Sequence, residues 1–139
     1  MIVRAATWDH VPWLTSRALF TASPEFKGIE AVDDTGRIHG MAGFDGWTPN
    51  SVVVTIALDN PAALRNLLPA IFGYAFVQAN RGVLLAVVQG INERSLKLCK
   101  HVGLSEVCRI RDGVDLGNDM IIMQMRREDC RWLQQRKVA

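Results

Sequence analysis

Two apolar stretches in the middle of the chain set its pattern. Ser51-Val-Val-Val-Thr-Ile-Ala-Leu58 is polar only at Ser51 and Thr55, and Val83-Leu-Leu-Ala-Val-Val88 is apolar throughout. Such runs predict strands covered on both faces. Between them Leu64, Leu67, Leu68, Ile71, Phe72, Ala75 and Phe76 recur at helical spacing behind Asn60 and Pro61, a cap followed by a favoured first helical residue. Pro69 falls inside that pattern and predicts a kink or two helical pieces, and Asn80-Arg-Gly82 predicts a left-handed stop at Gly82. Strand, helix and strand of these lengths predict a right-handed parallel crossover.

The flanking patterns are shorter. Met1 to Arg4 predicts a first strand, and Asp9 caps a helix expected to run to about Ala22. Ile29 to Val32 and Arg37 to Trp47 predict a hairpin turned at Thr35-Gly36, its second strand thinned by Gly40, Gly43 and Gly46. A second helix over Glu93 to Val102 opens at Asn92 and closes at Gly103, with Lys100 and His101 at its negative end. Leu104 to Arg111, with Leu104, Cys108 and Ile110 on one face, and Asp119 to Arg126 predict the last strands. Arg127 to Val138 predicts a short charged helix or tail, with Trp132 and Leu133 as its anchors. The fold class is therefore α/β in the mixed sense: a central mixed twisted sheet of about six to seven strands, helices on both faces.

Length narrows the organisation. A chain of 139 residues, 49% hydrophobic and 22% charged, predicts a single domain over residues 1–139. No run approaches the ~18 apolar residues of a membrane span, and the N-terminus has no export pattern. Cys99, Cys108 and Cys130 make an odd set without close pairing, which predicts buried free thiols and a cytoplasmic protein. Net charge is +2, divided as −2 over residues 1–80 and +4 over residues 81–139. The basic half lacks interleaved aromatics or a recognisable module, so nucleic acid is not the expected partner. The histidines and cysteines show no metal-ligand spacing.

Asn92-Glu-Arg-Ser-Leu-Lys-Leu-Cys-Lys-His-Val-Gly-Leu104 resembles the late helix of the GNAT superfamily, the Gcn5-related N-acetyltransferases. Asp119-Met-Ile-Ile-Met-Gln-Met-Arg126 and the segment after it resemble small GNAT-like proteins encoded by bacteriophages. The resemblance implies an acetyl-CoA site at a splay between the two apolar strands, with an amine as acceptor. It implies that backbone of Ile56, Ala57 and Leu58 meets the pantetheine arm, and that Asn60, Ala62, Ala63 and Leu64 meet the diphosphate at the start of the helix.

Two departures from the family pattern shape the expectation. The phosphate loop reads Leu58-Asp-Asn-Pro-Ala-Ala-Leu-Arg65, without glycine and with Asp59 close to the diphosphate position. Cys99 stands where many members carry a tyrosine that protonates the departing thiolate, though a packed core thiol is the other reading. Asn92 and Ser95 are candidate cofactor contacts, while an ordinary helix cap explains Asn92 equally. Asp45, Asp59 and His39 are candidate general bases. An acetyltransferase and a GNAT-fold binding or structural protein with a degenerate cofactor site both remain. The second predicts a crevice plugged by side chains such as Leu64 or closed by strand pairing. A homodimer through strand edges at Ile121 to Met125 or the glycine-rich hairpin is a further expectation.

Overall fold

The computed structural model describes residues 1–133. Seven strands form one sheet: β1 (Ile2–Ala6), β2 (Lys27–Val32), β3 (Ile38–Asp45), β4 (Ser51–Leu58), β5 (Val83–Gln89), β6 (Ser105–Asp115) and β7 (Asn118–Arg126). Their spatial order is β1-β2-β3-β4-β5-β7-β6, with β4 and β5 the parallel neighbours. The helices are α1 (Val11–Thr15), α2 (Ala63–Phe72) and α3 (Glu93–Val102). Both crossovers, β4 to β5 through α2 and β5 to β6 through α3, step the same way along the sheet. Right-handedness therefore puts α2 and α3 on one face. There Leu67, Ile71 and Phe72 pack with Val52, Leu84, Met123 and Val102. On the other face α1 sets Val11 and Leu14 against Met41 and Phe26.

Two glycines let the helices approach this sheet. A Cβ on Gly40 would lie 2.9 Å from Leu58 Cδ2, 3.0 Å from Ala63 Cβ and 3.1 Å from Leu67 Cδ1, so the first turn of α2 is seated on bare backbone. On the opposite face a Cβ on Gly43 would lie 2.5 Å from the Phe26 ring and 2.6 Å from Leu14. Close approach by the protein's own side chains accounts for both positions.

Several boundaries differ from the sequence expectation. A single 3₁₀ turn over Trp8–His10 leads into α1, which stops at Thr15 instead of Ala22. The chain leaves the helix there because Phe20 stacks on Phe26, with ring centroids 5.8 Å apart. The helix after β4 begins at Ala63, because Asn60 makes a turn whose side chain accepts from the Ala62 amide at 3.0 Å. Beyond Pro69 it does pass into a second piece, a π-helical stretch over Gly73–Gln78. Asn80, at φ 52°, supplies the left-handed residue assigned to Gly82. At Gly82 the bare backbone is needed because a Cβ would lie 2.6 Å from Asn50 Oδ1.

The last strands carry two further corrections. A bulge between Glu106 and Cys108 turns Leu104 into the helix-side core, while Cys108 and Ile110 pair with Ile122 and Met120 on the other face. Cys108 is exposed and Cys99 half-buried, so Cys130 alone of the three thiols is fully buried. The edges are β1 and β6; Ile121 to Met125 and the glycine-rich strand lie inside the sheet and offer no edge for self-association. After β7, the Trp132 indole donates to the Val102 carbonyl at 3.0 Å and stacks on Phe72. The expected tail beyond Leu133 lies outside the described residues.

Candidate functional site

Parallel pairing between β4 and β5 covers only Ser51–Val83, Val52–Leu84 and Val53–Leu85. Beyond that point each strand keeps its outer partner. The β3–β4 register runs unbroken to Gly40–Leu58, and the β5–β7 register to Gln89–Met120. Both strands therefore stay extended while parting from each other, which leaves a V-shaped opening along Val54 to Leu58. Ile56 points from this segment to the face that carries α2 and α3, yet it is 37% exposed, because neither helix covers the opening. Leu58 and Leu64 are half-buried against the main core. Closure by strand pairing, one of the two ways a degenerate site was expected to show itself, is not what the strands do.

The turn from β4 into α2 brings the expected diphosphate residues to the mouth of this opening, with most of its donors already engaged. The Asp59 and Asn60 amides donate to the His39 carbonyl at 2.9 and 3.1 Å. The Ala62 amide is held by Asn60 Oδ1, the Ala63 amide by the Asn60 carbonyl at 2.9 Å, and the Leu64 amide by the Pro61 carbonyl at 3.2 Å. Asp59 is clamped from below. Arg17 Nε and Nη2 donate to its two carboxylate oxygens at 2.8 and 3.0 Å, and the same guanidinium lies 3.8 Å over the Trp13 ring. That bidentate pair holds the Asp59 carboxyl below the ordinary range against slight desolvation, with Arg37 and His39 adding attraction.

At the second helix start, Asn92 Oδ1 accepts from the Ser95 amide at 3.1 Å, which makes it a working cap. Its own amide donates to the Gln89 carbonyl at 2.9 Å, tying the helix to the end of β5. Cys99 lies seven residues further along, roughly 10 Å down the helix axis. It packs against the main core, and burial pushes its thiol pKa up.

The base candidates are all engaged. Asp45 accepts from the Ser23 amide and hydroxyl, both at 2.6 Å, and from the Gly46 amide; these outweigh its partial burial and hold its pKa down. It also lies opposite Val53, where β4 and β5 are still paired. His39 Nε2 is 2.7 Å from Asp33 Oδ2. The Thr35 hydroxyl first, and His39 next, depress the Asp33 carboxyl far below its usual range. Among the described residues no three His, Cys, Asp or Glu side chains gather as a metal site.

No family model and no curated protein sequence matches the chain. Solved structures do. Spermidine/spermine N-acetyltransferase SpeG from Vibrio cholerae matches with a TM-score of 0.77 at 12% identity, over 96% of this chain and 95% of that one. Its F149G variant matches at 0.78 and 12%, over 94% and 95%, and the dodecameric form at 0.76 and 12%, over 91% and 93%. The fold is the GNAT fold.

Within the GNAT frame, the sequence did not single out Arg17, Trp13 or the Asp33–His39 pair. Trp13 and Arg17 are four apart, a spacing that brings side chains together on a helix, but nothing local names Asp59, 42 residues away, as the partner. Nor did it single out Glu30, which is 0% exposed between Arg4 Nε at 2.8 Å and His10 Nδ1 at 2.7 Å. A groove of 880 Å³ lies away from the opening, along β1, β2 and the π-helical stretch, between Val3, Ile29, Tyr74 and Val77. No described helix is long and apolar enough to cross a membrane.

Proposed function

We propose that this protein is an acetyl-CoA-dependent N-acetyltransferase that moves the acetyl group to an amine by direct attack. The parting of β4 from β5 after Val53 and Leu85 is the observation that carries the reading. It leaves extended backbone at Ile56, Ala57 and Leu58 to take a pantetheine arm as an added strand would. Acetyl-CoA is a cosubstrate here and supplies the activated acetyl group. The chain's share is to bind, to orient and to manage the proton. Amides of β4 polarise the thioester carbonyl, and positioning supplies much of the rate.

Asn60, Ala62, Ala63 and Leu64 at one helix start, with Asn92 and Ser95 at the other, hold the polar end of the cosubstrate in this reading. Arg17 assists by neutralising Asp59. Cys99 is the proton donor to the leaving thiolate, and its raised pKa keeps the proton in place through neutral pH. Of the three base candidates His39 is retained, because Asp33 fixes its ring through Nε2 and leaves Nδ1 to accept a proton. Calorimetric titration with acetyl-CoA and with CoA tests the reading: binding is expected in the micromolar range. Absence of heat and of any thermal shift at millimolar ligand would refute it.

A second reading, a GNAT-fold binding protein with a degenerate cofactor site, is favoured by the prior engagement of the amides at Asp59, Asn60, Ala62, Ala63 and Leu64. Accumulation of an acetylated amine with purified protein excludes it.

A further inference from the structure

We propose that the groove along β1, β2 and the π-helical stretch binds a carboxylate carried on an elongated apolar body. This is a second ligand site, away from the opening between β4 and β5, and it does not depend on the acetyl-transfer reading. Val3 and Ile29 lie on the side of β1 and β2 that faces α2, and both pack against the main core. Where α2 passes into the π-helical stretch it does not close over this part of the sheet. A space of 880 Å³ remains, with Val3 and Ile29 on one side and Ala70 and Val77 on the other. Val77 is 60% exposed, and Trp8, which also lines the groove, 56%. A concave, mostly apolar site of this volume, with a few converging polar groups, is the common form of a small-molecule site.

The polar groups gather at one end. Lys27 projects to the same side of β2 as Ile29 and stands opposite Phe44 in the β2–β3 register. Tyr74 packs edge-on against that same Phe44, with ring centroids 4.9 Å apart. Gln78, four residues after Tyr74, lines the groove beside it. Among the described residues none of these three side chains has a hydrogen-bond or ion-pair partner. Burial pushes the Tyr74 pKa up and Arg81 offsets this only in part, so the phenol is a donor at neutral pH. Val3 stands opposite Ala31, four strand positions from Lys27, which makes the apolar floor about 13 Å long.

Charge complementarity names the head of the ligand. No Asp or Glu lines the groove; Asp9 and Glu25 adjoin lining residues in sequence without lining it, and Asp9 is already bonded by the Thr7 side chain. Arg4, the other cation of the lining, is held by Glu30 at 2.8 Å. Lys27 is the uncommitted charge of the lining, with the Tyr74 hydroxyl and the Gln78 amide at the same end. A carboxylate placed there gains a charge-assisted hydrogen bond and two further donors. An ammonium would instead meet Lys27, and Arg81 beyond Tyr74. The length fits as well: an extended chain of about ten carbons spans the ~13 Å floor.

Decanoate, n-decanol and n-decylamine are the probes, titrated into the full chain by calorimetry and followed through the methyl resonances of Val3, Ile29 and Val77. Decanoate is expected to shift those three methyls and to bind about tenfold or more tighter than n-decylamine. Lys27 is an exposed strand residue, so its replacements keep the fold, which an unchanged Tm checks. Lys27→Gln is expected to weaken decanoate about fivefold and to leave n-decanol unchanged; Lys27→Glu reverses the order of decanoate and n-decylamine. The proposal is overturned by n-decylamine binding as tightly as decanoate, or by shifts confined to methyls outside the groove. It is equally overturned if Lys27→Gln spares decanoate or weakens n-decanol by the same factor, or if millimolar decanoate gives neither heat nor shifts.

Discussion

Replacing Gly40 with alanine tests whether the seat of α2 on β3 positions the opening. The new methyl would lie 2.9 Å from Leu58 Cδ2, 3.0 Å from Ala63 Cβ and 3.1 Å from Leu67 Cδ1. The two leucine tips can rotate, but the Ala63 methyl is fixed to helix backbone, so the first turn of α2 must lift by a few tenths of an ångström. Overpacking of this kind costs about 1–3 kcal/mol. Alanine recovers about 0.4–1 kcal/mol by restricting the unfolded chain. The net expectation is a loss of roughly 0.5–2 kcal/mol, read as a fall in Tm of about 2–8 °C for a chain of this size.

Gly43→Ala is the matched comparison. It forces closer overlap, 2.5 Å to Phe26 and 2.6 Å to Leu14, but on the face that carries α1. It should therefore lower Tm more than Gly40→Ala and yet leave the start of α2 in place. Acetyl-CoA affinity, measured by calorimetry at a temperature where both variants are folded, should fall severalfold for Gly40→Ala and little for Gly43→Ala. Equal losses of affinity, or a Gly40→Ala protein as stable and as tight as the parent, would refute the claim that this glycine seats the start of α2 beside the opening.

Arg17→Ala leaves Asp59 unpaired at the mouth of the opening and is expected to weaken acetyl-CoA binding severalfold, more so at low salt; Asp59→Asn in the same chain should restore it, as titrations at two ionic strengths will show. Glu30→Gln strips the Arg4 ion pair and changes the His10 hydrogen bond at a side chain that is 0% exposed, and should cost about 1–3 kcal/mol in urea unfolding. Asp45 has its pKa held down in the fold, so its stabilisation is complete above the ordinary carboxylate pKa and is lost as pH falls through the lower folded value. Asp45→Asn should accordingly flatten the acid limb of Tm against pH. Cys99→Ala should lower kcat more than KM, and the parent's alkaline limb should begin above the ordinary thiol range, because burial raises that pKa.

Much of the architecture was legible because its signals are local. The cap at Asn92, the stop at Gly103 and the helical face from Leu67 to Phe72 each depend on residues within a few positions, and each is where the pattern placed it. The boundary errors came where a distant contact overrode a local preference. Phe20 leaves its helix to stack on Phe26, Asn80 takes the left-handed turn because Gly82 is pressed against Asn50, and a bulge at Val107 reverses which side Leu104 faces. The candidate site was legible only as a location. The glycine-free turn suggested a bare negative charge at Asp59, whereas Arg17 holds that carboxylate in a bidentate pair.

By itself, then, the sequence determined the order of elements, the parallel crossover and the two helix starts that converge at one end of the sheet, since periodicity and capping act along the chain. Only the tertiary structure decided that β4 and β5 part after Val53, that Arg17 finds Asp59, and that β6 ends up as an edge strand exposed on both faces. Each of these is a relation between segments tens of residues apart, set by which surfaces pack together once the sheet has formed, and no local pattern encodes it.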